Sequence, residues 1–429
     1  MTIAAHTLGC KLNFAETSDI LRRLAALGHT PAEFCQPADI YIVNTCTVTA
    51  TAERKCRSAI RQAHRLNPDA KIIVIGCFAQ VAATQIEQIP GVSLVLGNDS
   101  KHLLPDILSR TDWAASLPDT ATPPPSSSIL QYSSGDRTRT FLKIQDGCDY
   151  FCTYCAIPFA RGRSRSATIE ETLATVRQIA ASGAKEVVLT GVNTGTFGQH
   201  CGQSLLDLLR ALDDITDIPR YRISSIEPNL ITTDIVDFIA SSRAFLPHFH
   251  IPLQSASDHV LQLMHRRYDT ALYSERLQYI KHLMPDACIA ADVIAGFNGE
   301  NEEEFERSLQ LLASLPLSYL HVFTYSERPG TAALRLGECI PVPVRHSHTT
   351  RLLQLSQEKH DLFIQSQIGK TRPVLWESKQ IDTADQPCLT GWTDNYIRVA
   401  APPHSAIINT IQQVTLSTDN IITSPNQQP

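Results

Sequence analysis

The chain has 429 residues, 43% hydrophobic and 19% charged, with a formal net charge of −6. That length asks for two or three domains rather than one core, and the acidic balance excludes a globally basic nucleic-acid binder while leaving room for local basic patches. No apolar run reaches the ~20 residues of a membrane helix, and the start "MTIAAHTLGCKLN" lacks the basic flank and apolar stretch of a secretory signal, so a cytoplasmic protein with no membrane partner is expected.

In chain order, "TIAAHTLG", "DIYIVNTC", "KIIVIGC" and "VSLVLGN" read as strands, with helices predicted near residues 15–27, 49–66 and from about 79. This βαβα rhythm predicts a parallel sheet covered by helices. In such sheets the loops at the carboxyl ends of the strands form the functional crevice. Cys10, Cys46 and Cys77 follow the first, second and third strands, so three thiols 36 and 31 residues apart meet at one edge. A small buried residue is the bland reading of each; three at one edge favour a metal site. Residues 111–138, rich in Pro, Ser and Thr, read as a linker.

A longer βα series begins at Phe141: "TFLKIQ", "EVVLTGV", "RYRISSI", "HFHIPL", "CIAADVIAGF" and "YLHVFTYS" read as strands with helical patterns between them. Six such strands predict an open or closed α/β barrel with its chemistry at the strands' carboxyl ends. After residue 368 the pattern shortens to "RPVLWES", "CLTGWT", "NYIRVAA" and "IQQVTLST", which suggests a small antiparallel barrel. The domains expected are therefore 1–110, the linker 111–138, 139–368 and 369–429, the tail "TSPNQQP" being disordered.

Twelve cysteines in a cytosolic chain point to metal ligation or catalysis more than to disulfides. "DGCDYFCTYCAIPFARG" holds Cys148, Cys152 and Cys155 within eight positions and supplies no fourth ligand nearby. A structural zinc site would want four protein ligands, and a disulfide would leave one thiol over. Iron–sulfur cubanes are held by thiolates and normally need four. With three, one iron keeps an open position for a substrate or cofactor.

This CxxxCxxC spacing, after a barrel's first strand, resembles the radical S-adenosylmethionine (SAM) superfamily. The resemblance implies a [4Fe–4S] cluster whose open iron takes the amino and carboxylate groups of SAM. One electron then cleaves SAM to methionine and a 5′-deoxyadenosyl radical, and the protein binds, orients and excludes quenchers. Over nearly the whole chain the resemblance narrows to the methylthiotransferases, which join a flavodoxin-like α/β domain, a radical SAM barrel and a C-terminal TRAM barrel. "TLGCKLN", "NTCTVT" and "IGCFAQ" match that family, implying that Cys10, Cys46 and Cys77 hold a second [4Fe–4S] cluster that carries sulfur. "LTGVNTGTFG", "RISSIEPN", "HFHIPLQSASD", "ADVIAGFNGE" and "FTYSERPGTAA" resemble family motifs too. Ala256 stands where the family usually has Gly, and Asn298 where it usually has Pro.

The activity implied is conversion of a carbon–hydrogen bond on a tRNA nucleoside to carbon–SCH₃, with two SAM molecules per product and unidentified electron and sulfur donors. "TLGCKLN" and "LTGVNTGTFG" resemble the branch acting on N6-threonylcarbamoyladenosine beside the anticodon. The isopentenyladenosine branch typically reads "TYGCQMN", and the ribosomal-protein branch "SLGCPKN". A non-catalytic RNA-binding redox sensor is the rival, disfavoured because binding alone needs no open iron.

Around that core, Asn193, Glu227 and Gln254 lie at predicted strand ends, where they would meet the polar parts of SAM. Gly296 and Gly299 suit close backbone approach to an adenine. Arg161, Arg163 and Arg165 are candidates for the threonylcarbamoyl carboxylate, Arg161 foremost, and Tyr396 and Arg398 for an RNA loop. Arg54, Arg57, Arg61 and Arg65 share one helix face, solvated or phosphate-tracking. His248 and His250 read as packing or substrate contacts more than as a metal pair, and Cys35, Cys56, Cys201, Cys288, Cys339 and Cys388 as plain thiols.

Overall fold

The computed structural model describes residues 1–110, 129–135, 138–383 and 386–422. The expected linker lies mostly outside them, and the expected disordered tail lies wholly outside. Strands β1 (Thr2–Thr7), β2 (Thr30–Ala32), β3 (Ile40–Thr45), β4 (Lys71–Gly76) and β5 (Val92–Leu96) form a parallel sheet in the order β2-β1-β3-β4-β5. That is the flavodoxin-like order. β3 is buried throughout and β4 beyond Lys71, which is why both read as unbroken apolar runs. β2 escaped the sequence reading because it is a three-residue edge strand containing Pro31.

Helix α1 (Lys11–Ala26) begins four residues before the expected position, directly after Cys10. Cys10 is its N-cap and makes no side-chain capping bond, so no Ser, Thr or Asp marked the start. Helix α2 (Ala50–Leu66) starts where Thr49 accepts from the Ala52 amide, and the short helix α3 starts at Cys77 (Cys77–Val81).

The second unit contains β6 (Gln131–Tyr132), β7 (Arg139–Lys143), β8 (Gln145–Asp146), β9 (Arg165–Ser166), β10 (Glu186–Thr190), β11 (Arg220–Ile223), β12 (His248–His250), β13 (Cys288–Ala295) and β14 (Tyr319–Thr324). β7, β10 and β11 pair in parallel, as do β12, β13 and β14. Single parallel bridges, Tyr221 to Phe245 and Ser225 to His250, join the two groups. Six parallel strands in chain order thus make a partial barrel whose core includes Leu142, Val187, Tyr221, Phe249, Ile289 and Leu320. Helix α1 covers β7, with Phe14 edge-on to Phe141 at 5.8 Å.

After the long helix Val342–Gln367, β15 (Thr371–Thr383), β16 (Gln386–Thr393), β17 (Arg398–Ala401) and β18 (Ile411–Thr415) form an antiparallel sheet in the order β17-β16-β15-β18. This sheet is bolted to the barrel. Arg220 and Arg222 of β11, both buried, donate to the Trp392, Thr393 and Asp394 carbonyls while pairing with Glu186 at 2.8 and 3.1 Å. Among the described residues no helix is long and apolar enough to cross a membrane.

Candidate active site

Two glycines let the first three cysteines converge. Gly9 has φ +102°, and a Cβ there would lie 2.8 Å from Cys46 Cβ; Gly76 has φ +98°, and a Cβ there would clash with Asn44 Oδ1. Asn13 Nδ2 ties the Cys10 and Cys46 loops together through the carbonyls of Leu8 (2.7 Å) and Thr45 (3.0 Å). Cys46 and Cys77 are buried, whereas Cys10 is open to a cavity. Burial pushes the Cys46 thiol up to about 12 and raises that of Cys10. Cys56, read from sequence as a plain thiol, is buried with its sulfur 3.4 Å from the Cys46 amide nitrogen.

The barrel's cysteine loop leaves β8 through Gly147 (φ +71°), where any Cβ would clash with the Arg163 carbonyl. The Cys148 amide donates to Gly162 O at 3.1 Å and the Cys155 amide to Cys152 O at 3.0 Å. Burial pushes Cys148 up to about 11 and Cys155 up to about 12, and raises Cys152. Arg266 Nη1 lies 3.0 Å from Cys152 Sγ while its other nitrogen pairs with Glu227.

Both triads are sets of three thiols, the donor chemistry of an iron–sulfur cluster with one position left over. Apart from the two triads, His250, Asp292 and His321 bring three ligand atoms within 4.8 Å of one another. Thiols whose burial keeps them protonated take up charge only as metal displaces the proton.

A cavity of about 460 Å³ lies between the two units, lined by Cys10, Lys11 and Phe14, by Ser225, Asp292 and His321 of the barrel, and by Tyr396 of the C-terminal sheet. Its size suits a nucleoside. His250 Nε2 and Asp292 Oδ1 are 2.8 Å apart. Burial works to raise the Asp292 pKa, but His250 and His321 outweigh it and hold the carboxyl below its usual range. Burial, reinforced by His250, lowers His321 to about 4. The His248 ring packs tilted against Tyr396 at 4.3 Å and Tyr396 stacks on Trp392 at 4.4 Å, building one aromatic wall.

Several sequence-predicted residues sit elsewhere than expected. Arg161 is 1% exposed, with Glu16 (3.0 Å), Asp146 (2.9 Å) and Asn13 (2.6 Å) as partners, so it is spent on a buried network instead of awaiting a substrate carboxylate. Arg165 binds the Arg161 carbonyl and Asp146; Arg163 alone stays exposed, near Asp149. Gly296 and Gly299 have their close approaches filled by Arg345 and Leu263 side chains rather than left open. Tyr396 faces the cavity instead of an outer RNA surface, with Arg398 behind it, 5.8 Å from the Trp392 ring centroid. Asn193 is buried beside the Tyr150 hydroxyl, with which its amide interacts. Gln254 holds φ +69°, strained for a non-glycine residue at a strand end. The two departures are absorbed locally: Ala256 packs in the barrel core, and Asn298 donates to Ala333 O at 2.9 Å.

Sequence reasoning missed the polar bridge between the cysteine loops. Asn98 Nδ2 reaches Cys77 Sγ (3.4 Å) and Ala160 O (2.6 Å), and Asn98 Oδ1 accepts from Lys101. Lys101 and Lys143 both pair with Glu16, which is fully buried. Burial alone would raise the Glu16 pKa, but Arg161, Lys101 and Lys143 hold it well below the usual carboxylate range.

A partial barrel with three cysteines on the loop after its first strand defines a radical SAM protein, and residues 142–312 match the Radical SAM superfamily. Residues 2–97 match the family described as uncharacterized protein family UPF0004. The threonylcarbamoyladenosine tRNA methylthiotransferase MtaB of Bacillus subtilis (strain 168) is 36% identical over 97% of this chain and 93% of its own. Its namesake in Aquifex aeolicus (strain VF5) is 36% identical over 93% and 96%. The tRNA-2-methylthio-N(6)-dimethylallyladenosine synthase of Desulfitobacterium hafniense (strain Y51) is 31% identical over 96% and 94%. The chain belongs to the radical SAM methylthiotransferase family. The radical SAM methyltransferase TsrM from Kitasatospora setae superposes with a TM-score of 0.55 over 77% of this chain and 76% of that one, at 14% identity, a likeness of fold alone.

Proposed function

We propose that this enzyme installs SCH₃ on carbon 2 of N6-threonylcarbamoyladenosine next to the tRNA anticodon, working in the cytoplasm with electron and sulfur donors still to be identified. One observation carries the reading: Cys10, the strand ends of the barrel and Tyr396 line a single cavity. Cys148, Cys152 and Cys155 would hold the cluster that binds SAM, and Cys10, Cys46 and Cys77 a second one. Bound there, cluster and SAM supply a radical able to remove hydrogen from an unactivated carbon. The chain's own residues position the base. Tyr396, on the cavity wall, offers an aromatic contact for an adenine extruded from the loop, and bases in single-stranded loops are the cheapest to extrude. Asn193 offers a buried amide to SAM. The exposed arginines of α2, Arg54, Arg61 and Arg65, offer phosphate contacts outside the cavity. The substrate reading is favoured by the relatives named for threonylcarbamoyladenosine at 36% identity, against 31% for the dimethylallyl one. Deleting the gene should strip the methylthio group from threonylcarbamoyladenosine in bulk tRNA and leave the parent nucleoside, with restoration by the intact gene. Loss of methylthio from isopentenyladenosine alone would refute the substrate.

A further inference from the structure

With Arg161 buried in its own network, the cavity needs another group for an anionic substrate. Lys11 follows Cys10 and lines the cavity, where Tyr396 and Asp292 are the groups whose charge favours its ammonium and Arg139 and Arg222 oppose it, with no direct salt bridge to it among the described residues. An unpaired partly buried ammonium is costly unless a ligand completes it. His248, on the same cavity, is 5% exposed, and neither of its ring nitrogens has a partner. The acid lining this cavity, Asp292, is already engaged by His250 at 2.8 Å. Arg222 and Arg139 stand behind Tyr396, 4.7 and 5.7 Å from its ring centroid, and add positive potential to that wall.

We propose that Lys11, supported by His248, forms the subsite that binds the carboxylate of the N6-threonylcarbamoyl group and so selects this nucleoside over one bearing a hydrocarbon at the same nitrogen. The inference rests on the substrate reading above and assigns the residue that enforces it. A charge-assisted hydrogen bond is short and directional. A site built around one rejects an apolar analogue strongly, because its own polar groups are then left unpaired.

The test is equilibrium binding of fluorescent anticodon stem-loops to the reconstituted protein without reductant, so that no turnover occurs. Three loops are compared: one with threonylcarbamoyladenosine, one with its methyl ester and one with isopentenyladenosine. Wild type should bind the free acid about tenfold more tightly than the ester. Lys11→Met should bind both at the ester's affinity, and Lys11→Arg should keep part of the preference. Iron content and SAM cleavage, measured on each variant, report whether the Cys10 loop is intact. Equal wild-type affinity for acid and ester overturns the subsite whatever the variants do, as does an iron-replete Lys11→Met protein that still prefers the acid. Wild type that binds only the isopentenyl loop would instead overturn the substrate reading.

Discussion

Glu16 is the residue whose loss should cost the fold most for the smallest change in shape. It is fully buried and accepts from Lys101 (2.5 Å), Lys143 (3.0 Å) and Arg161 (3.0 Å), each cation no more than 3% exposed. In Glu16→Gln, Lys143 and Arg161 keep Asp146 as a carboxylate partner, whereas Lys101 is left with only the Asn98 amide oxygen. Removing one member of a buried charge network typically costs about 3–5 kcal/mol, because the orphaned charges stay desolvated. Against a total stability of about 5–15 kcal/mol, that should lower the melting temperature by on the order of 10 °C. The loss should be greatest where α1 meets the cysteine loop, seen as faster amide exchange in residues 11–20 and 157–165. Adding Lys101→Met removes one orphaned cation and should recover part of the stability, giving a clear coupling term in a double-mutant cycle. A Glu16→Gln protein that melts within a degree or two of wild type would refute the idea that this network clamps the two cysteine loops together.

Replacing Cys148, Cys152 and Cys155 by Ala should reduce about eight irons to about four and abolish SAM cleavage, whereas replacing Cys10, Cys46 and Cys77 should leave about four and spare it. An N-terminal triple variant that kept all its iron would eliminate the second cluster. Glu186 stays ionised down to about pH 2, since Arg222 and Arg220 outweigh the burial that would raise its pKa. With the folded value below the ordinary 4.5, its contribution is complete above pH 4.5 and lost as pH falls toward 2. Glu186→Gln should therefore flatten the acid limb of the stability curve, and an unchanged limb in urea titrations would count against that pair. Tyr396→Ala should cut methylthiolation by roughly fivefold to a hundredfold while SAM cleavage persists, because it removes an aromatic contact worth about 1–3 kcal/mol; unchanged product formation would remove Tyr396 from the site.

The parallel character of the first sheet and the six barrel strands were legible because buried strands leave apolar runs and their connections are helical. The six cysteines of the two triads were legible as ligand candidates because strand ends and an eight-residue loop fix their neighbourhood in sequence. Arg161 was not, since a basic run beside a cluster loop looks open until α1 and Glu16 are seen to close over it. Lys11 stayed hidden for the opposite reason: it stands in the motif "TLGCKLN", where Cys10 draws the attention, and only the cavity shows what its neighbour faces. The His250–Asp292–His321 group joins three strands through their inward faces, a register no single stretch of sequence displays.

The measurement that tests the central claim most directly offers the reconstituted enzyme two tRNAs, one threonylcarbamoylated and one isopentenylated, with SAM, reductant and a sulfur source, and weighs the digested nucleosides. The account predicts a methylthio product on the threonylcarbamoylated tRNA and little on the other. A methylthio product found only on the isopentenylated tRNA would contradict it.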